Sequence, residues 1–262
     1  IWTVNHLSRN VNKWCQADDK RLHRLISFIH HHPHCIQFCF VGDYLCHCYL
    51  ALYCDAGFAG DLNDSKSTGG WILFLVGPRT RIPIAWSCKK HGPVSHSSTE
   101  AEIVSLDAGT RLDGIPALML WELILTVMYK LPFGTLPERK LKHNGIYDLL
   151  KTVDYVPATL PKPLGNAKLV LLEDNDAVIK MIIKGRTHKL RYVPRIHRID
   201  LDWLFNILRD DPGVYIKYIT TKQQCADIFT KGMFTEAQVK MLMFLNNLAN
   251  AYHHKGETSL DT

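Results

Sequence analysis

From Cys48 to Cys54 the chain is an unbroken run of apolar and aromatic residues, and the run stops at Asp55-Ala56-Gly57. This predicts a strand over His47–Asp55 that ends on a carboxylate where the backbone turns. Two further short runs, Gly70–Val76 and Ile82–Ser87, follow the turn-forming stretches Asp61-Leu62-Asn63-Asp64-Ser65 and Gly77-Pro78. Connections this short predict an antiparallel meander. Ser97 and Glu100 stand at capping-box spacing and open a helix to about Leu112; Pro116 then suits the first turn of a second helix reaching Tyr129. Strand character returns at Ala167–Leu172 and stops at Glu173-Asp174-Asn175-Asp176. Helical spacing follows at Ala177–Lys184 and Arg195–Arg209, alternation at Val214–Thr220, and helical spacing again from Asp227 and over Glu236–His253. The order predicts an α/β architecture, a mixed sheet with helices packed on it.

Two regions lie outside this pattern. Residues 1–45 read as a helical segment, with Leu22, Leu25, Ile26 and Ile29 forming an apolar face within a basic surface. Residues 131–168 hold Pro132, Pro137, Pro157, Pro161 and Pro163 and read as a surface insertion.

Composition narrows the class. The 262 residues are 47% hydrophobic and 21% charged, as in globular proteins, and a net charge of +6 permits a polyanionic partner without demanding one. Eight irregularly spaced cysteines point to a reduced setting rather than a disulfide framework. Cys35, Cys39, Cys46 and Cys48 lie close to a histidine cluster at 30–34, but no clean pair of CxxC units defines a zinc site. The apolar stretch Ile115–Tyr129 contains Glu122 and falls short of the roughly 18 residues of a membrane candidate, so no membrane association is expected. A start at Ile1 rather than Met implies a piece of a longer polyprotein.

Candidate chemistry resides in carboxylates at element boundaries. Asp55 ends the first strand and Asp174 the fourth; if those strands are neighbours, two like charges lie side by side, which is unfavourable unless a cation sits between them. Glu102 lies in the first turns of the helix opened by Ser97, with Ser105 and Gly109 on the same face allowing close approach to a sheet. Asp227 begins a helix after the last strand. Hard oxygen donors of this kind suit Mg²⁺ or Mn²⁺.

Asp55-Ala-Gly-Phe-Ala-Gly-Asp61, Lys66-Ser-Thr-Gly-Gly70, Ala85-Trp86-Ser87-Cys88-Lys89-Lys90, Ser98-Thr99-Glu100-Ala101-Glu102, Glu173-Asp174-Asn175 and Ala226-Asp227-Ile228-Phe229-Thr230-Lys231 occur in this order. Together they resemble the ribonuclease H region of copia-type LTR retrotransposon polyproteins. The resemblance implies a ribonuclease H-like mixed five-stranded sheet flanked by helices over 46–233, with 131–168 inserted and 234–262 a C-terminal helix and tail. Residues 1–45 look like the segment that joins the reverse-transcriptase thumb to such a domain; fingers and palm are absent, so DNA synthesis is not expected.

By that resemblance Asp55, Glu102, Asp174 and Asp227 are the metal-binding catalytic acids, holding two Mg²⁺ (or Mn²⁺) ions. Glu102 is preferred to Glu100 because Ala101-Glu102-Ile103-Val104 has the acid-then-apolar pattern of retroviral ribonucleases H, which leaves Glu100 to cap its helix. Asp174, followed by Asn175, is preferred to Asp176. The implied activity is endonucleolytic hydrolysis of the RNA strand of an RNA/DNA hybrid during reverse transcription, within a cytoplasmic retrotransposon particle and beside the rest of the reverse-transcriptase polyprotein. Expected contacts to the hybrid are the turn residues Ser67, Thr68 and Gly69, Asn175 beside the acids, and the basic residues Lys89, Lys90, Arg186 and Lys189. Lys184, Arg191, Arg195 and Arg198 extend that basic set. Thr220-Thr221-Lys222-Gln223-Gln224 lacks the His that many ribonucleases H carry there; His197 is the nearest in sequence. The alternative is a catalytically weak or silent module of the same fold that binds nucleic acid.

Overall fold

The computed structural model describes residues 1–60, 64–131, 163–185 and 190–250. Helices α1 (Trp2–Arg9) and α2 (Gln16–His31) and a short strand β1 (Cys35–Gln37) precede the main sheet. That sheet is built from β2 (Tyr49–Gly57), β3 (Thr68–Val76), β4 (Arg81–Lys90), β5 (Leu169–Glu173) and β6 (Val214–Tyr218), in spatial order β4-β3-β2-β5-β6. The first three strands are antiparallel neighbours, as their short turns require, whereas β5 and β6 add in parallel to β2. This is the mixed five-stranded sheet flanked by helices that the resemblance implied.

The central strand β2 is covered on both faces, which is why it reads as continuous apolar sequence rather than alternation: Leu50, Ala51, Leu52 and Cys54 are all at most 1% exposed. Between β4 and β5 the chain crosses over through α3 (Ser98–Gly109), a π-helical turn at Thr110–Gly114 and α4 (Ile115–Tyr129). The break expected near Pro116 is thus only a widened turn in one helical run, where Trp71 Nε1 donates to Asp113 Oδ2 at 2.5 Å. Residues 98–129 are long and apolar enough to span a bilayer by composition alone. Yet Ile103, Leu106, Leu118, Trp121 and Leu125 pack into the core with β2, β3 and β5.

The remaining elements are α5 (Asp176–Lys184), α6 (Val193–His197), α7 (Leu201–Asp210), a short α8 (Asp227–Thr230), α9 (Glu236–Leu245) and β7 (Leu248–Asn250). Two sequence expectations change here. The helix expected over Arg195–Arg209 is divided, because Arg198 adopts a left-handed conformation (φ 54°) and Asp200 caps α7 by accepting from Trp203 N at 3.0 Å. The helix expected over Glu236–His253 ends at Leu245. Asn247 takes φ 56° and donates to the carbonyls of Phe38 and Arg81, and β7 pairs with β1. The segment 1–45 therefore contributes a strand as well as helices, and α1 docks on the sheet through Asn5 Nδ2, which donates to Cys88 O at 2.6 Å. Most of the 131–168 insertion and the end of the C-terminal tail lie outside the described residues. All eight cysteines are free thiols.

Candidate active site

β2 and β5 run parallel with Tyr53 opposite Leu172, so two residues further on Asp55 stands level with Asp174 at the carboxyl ends of both strands. In open α/β sheets that end of adjacent parallel strands is where ligands bind. Asp55 is 4% exposed and lies opposite Gly70 of β3. Above it sits α8, and glycines set its height. A Cβ on Gly70 would lie 2.6 Å from Phe229 Cβ, and one on Gly57 would lie 2.5 Å from Thr230 O. These two glycines form a floor on which α8 rests, which brings Asp227 down to Asp55. Gln224, fully buried, fixes the approach by donating from Nε2 to Cys54 O at 2.8 Å.

Glu102 reaches the same end of the sheet from α3. Ser105, one turn along, donates to the Asp55 carbonyl at 2.8 Å and so holds α3 against β2 and β3. Asn175, the residue after Asp174, donates from Nδ2 to Glu102 Oε2 and accepts from Ala177 N at 2.9 Å as the cap of α5. Its amide is therefore committed to the acids and to its helix.

Burial and neighbouring charge both act on these acids. Burial pushes the Glu102 carboxyl up to about 7, with the charges of Asp55 and Asp174 adding and the Asn175 hydrogen bond opposing. Burial likewise pushes Asp227 up to about 7, with Asp55 the next contributor. Asp55 is raised by burial and by Asp174, against the pull of Lys231 and Thr230. Such mutual repulsion in a desolvated pocket is what a polyvalent cation relieves. The donor set, all carboxylate oxygen, fits Mg²⁺ or Mn²⁺ and not a softer ion. Among the described residues, however, no three Asp, Glu, His or Cys side chains already surround one point at ligand distances. Lys231 lies among the acids: its Nζ is 2.6 Å from Asp227 Oδ1 and 3.9 Å from Asp55 Oδ2, and Thr230 Oγ1 donates to Asp55 Oδ2. An ammonium and a hydroxyl take up carboxylate lone pairs that a metal would use.

Lys231 and Thr230, which sequence reasoning did not single out, stand in the run Ala226–Lys231 beside Asp227. The signal was their spacing of three and four from Asp227, which on a helix puts them on its face. Glu173 was missed as well. It is fully buried beside Cys54 on the opposite face of β5 from Leu172, its Oε1 accepts from Asn175 N at 3.2 Å, and burial raises its carboxyl well above the usual range.

The two ambiguous pairs separate cleanly. Asp176 is exposed and pairs with Lys180 on α5, away from the acids. Glu100 is fully buried but points elsewhere: it accepts from His96 N at 2.9 Å, Tyr192 Oη at 2.8 Å and His197 Nε2 at 2.6 Å. Its amide is capped by Ser97 Oγ at 3.1 Å as expected, but its carboxylate caps His96 instead of Ser97. His197 is thus spent on Glu100 and does not stand in for the missing loop histidine. His91 packs edge-on to His197 at 6.5 Å between ring centres, and burial brings it down to about 4, with His197 contributing.

The expected nucleic-acid contacts need correction. Ser67 and Thr68 are buried at 0% and 4% exposure, and Gly69 lies in the ladder between Ala56 and Lys89, so none forms an open turn. A Cβ on Gly69 would lie 2.6 Å from His91 Nε2; the small residues there serve internal packing rather than close approach of a ligand. Of the lysines, Lys89 is exposed at the end of β4, whereas Lys90 pairs with Asp64 Oδ2 at 2.7 Å. Arg186 and Lys189 lie outside the described residues.

A mixed sheet in this order, with acids at the ends of its central parallel strands and on the two helices that flank them, is the arrangement that the sequence resemblance implied. The chain is similar over part of its length to two retrovirus-related Pol polyproteins. It is 35% identical over 105 residues to the retrovirus-related Pol polyproteins from transposons RE1 and RE2 of Arabidopsis thaliana. The match takes in 40% of this chain and only 7% of either relative's length. No protein-family model matches the chain. Among solved structures it is similar to the N-terminal ribonuclease H domain of a Mycobacterium tuberculosis protein, solved as a fusion with maltose-binding protein. Identity there is 12% and the TM-score 0.36, over 70% of this chain and 90% of that one.

Proposed function

We propose that this chain is a metal-dependent endonuclease that hydrolyses the RNA strand of RNA/DNA hybrids, as the ribonuclease H portion of a retrotransposon polyprotein. The observation that carries the reading is the meeting of Asp55, Glu102 and Asp227, from three separate elements, with Asp174 at one end of the sheet, where burial first and neighbouring acids second oppose ionisation of Asp55, Glu102 and Asp227. A stable fold has no use for such repulsion unless a cation is its partner.

Asp55 and Asp227 would hold one divalent ion with Lys231 swung aside, and Asp55 with Glu102 and Asp174 a second. When bound, a pair of such ions activates water and stabilises the leaving oxygen in phosphodiester hydrolysis. The protein's own residues prepare that state. Asn175 orients Glu102, Thr230 orients Asp55, and the glycine floor keeps α8 close enough for Asp227 to share the pocket. Lys231 neutralises the cluster and, once displaced, remains a cation within reach of an incoming phosphate. Sensing of 2′-hydroxyls would select the RNA strand. The partners are then an RNA/DNA hybrid and the remainder of the reverse transcriptase, and the setting a cytoplasmic retrotransposon particle.

The lysine among the acids favours one second reading, a weakly active or silent module that binds hybrid without cutting it. The two readings part when the purified chain is incubated with labelled RNA/DNA hybrid, duplex DNA and duplex RNA, each with Mg²⁺, Mn²⁺ or EDTA. Metal-dependent loss of the RNA strand of the hybrid alone is the expected result. Binding without cleavage would establish the silent module, and cleavage of duplex DNA would point to a DNA nuclease of the same fold.

A further inference from the structure

Glu100 sits two residues before Glu102, a rotation of about 200° on a helix, so the two carboxylates leave α3 in nearly opposite directions. Glu102 faces the acids. Glu100 is buried, and its oxygens receive Tyr192 Oη and His197 Nε2 from the segment 190–198 at 2.8 and 2.6 Å, with His96 N at 2.9 Å. The side chains of His197 and Glu100 are 1% and 0% exposed. Leu190 and Val193 from the same segment are buried in the main core. Its other side chains do the opposite: Arg191, Arg195 and Arg198 are exposed. One short stretch therefore carries a buried polar anchor and three outward guanidinium groups, and the anchor point is the first turn of the helix that bears Glu102.

We propose that Glu100, Tyr192 and His197 are positioning residues that clamp an arginine-bearing phosphate-binding segment, 190–198, to the helix bearing Glu102. The inference rests on the hybrid-hydrolysing reading. Phosphate contacts set register on a nucleic acid, and their value depends on being fixed relative to the reacting groups. A buried ionic acceptor with three donors holds such a segment in one place. Removing one partner leaves others unsatisfied in a buried site, which frees the segment instead of letting it repack.

The test compares wild type, Glu100→Gln, Tyr192→Phe and the triple variant Arg191→Gln/Arg195→Gln/Arg198→Gln, with steady-state kinetics on RNA/DNA hybrid and its binding measured by anisotropy across a salt series. In Glu100→Gln, KM for hybrid should rise about tenfold with kcat within about twofold, as expected when only binding shared by ground and transition states is lost. The slope of log K against log salt should fall by about one or two phosphate contacts' worth. Tyr192→Phe should do the same to a smaller extent, and it stands in if Glu100→Gln does not fold. Combined with the arginine variant, neither change should raise KM further, since they act through those side chains. A fall in kcat at unchanged KM and salt slope, or full additivity with the arginine variant, would overturn the proposal. Hydrogen exchange of the 190–198 amides judges the clamp separately. Faster exchange there in Tyr192→Phe, with α3 and the sheet unchanged, supports it even if hybrid proves not to be the substrate; unchanged exchange sinks it.

Discussion

Glu100 and Glu102 leave the same helix two residues apart, and their surroundings are opposite. Glu102 is buried near Asp55 and Asp174, with one ammonium and one amide to offset them, and burial first raises its carboxyl to about 7. Around Glu100 stand three donors; burial opposes its ionisation, yet the hydrogen bonds from His96, Tyr192 and His197 outweigh burial and hold it below the usual range. One pocket is left electrostatically unsatisfied and the other is complete. That difference separates chemistry from architecture: an acid whose partners are all protein is structural, and an acid that lacks them awaits a ligand.

The contrast can be broken most directly at Glu102. Glu102→Gln should lower turnover of hybrid by about 10²–10³-fold, since metal-held carboxylates supply several kcal/mol of transition-state stabilisation. Binding of hybrid without metal should be unaffected. Rapid-quench and anisotropy measurements read both, and a variant with near-normal kcat would move the catalytic role off this residue.

A smaller effect is expected from the floor under α8. Gly70→Val places side-chain atoms where Phe229 and Thr230 now lie, so α8 must rise and carry Asp227 away from Asp55. Overpacking of this kind costs about 1–3 kcal/mol by denaturant titration. Displacement of about 1 Å costs up to 10²-fold in rate. A variant that keeps full activity would show that Asp227 is not needed at its present height.

The two pockets also oppose each other in pH dependence. Glu102 and Asp227, ordinarily near 4.5 and 3.8, are raised to about 7 in the folded chain, so the fold holds protons that the unfolded chain releases. Their contribution to metal-free stability is greatest at low pH and is lost as pH rises from about 4 to about 7, by about 1 kcal/mol or more. Glu100 is depressed, so its contribution is present above its unfolded value and is lost as pH falls through the folded one. Thermal melts in EDTA should therefore lose stability toward neutral pH in wild type but less so in Asp227→Asn, and Mg²⁺ should restore more at pH 8 than at pH 5. Identical pH profiles for the two proteins would count against the crowded pocket.

The smallest effect belongs to Asp176. It is exposed and paired within α5, so Asp176→Asn should leave activity unchanged and stability within about 0.5 kcal/mol. A large loss of activity would reopen the choice between it and Asp174.

The local pattern was sufficient for much of this. The apolar run ending at Asp55, the turn sequences that separate β2, β3 and β4, and the Ser97 cap of α3 each depend on neighbours a few residues away, so they are legible in a single sequence. The division of the 195–209 helix and the early end of α9 were not: Arg198 and Asn247 take left-handed conformations, and Asn247 does so while its own side chain donates to the carbonyls of Phe38 and Arg81, far along the chain.

What the sequence by itself determined is the order of strands and helices and the element boundaries at which the four acids stand. Which acids share a pocket was decided only by the crossover that makes β5 a parallel neighbour of β2 and by the glycines that let α8 settle on the sheet. The same packing turned Ser67, Thr68 and Gly69 inward, gave Glu100 its three donors and put Lys231 between Asp55 and Asp227. Periodicity and capping are local and leave marks in consecutive residues. Charge crowding depends on distances between segments far apart along the chain, and those distances exist only once the sheet is assembled.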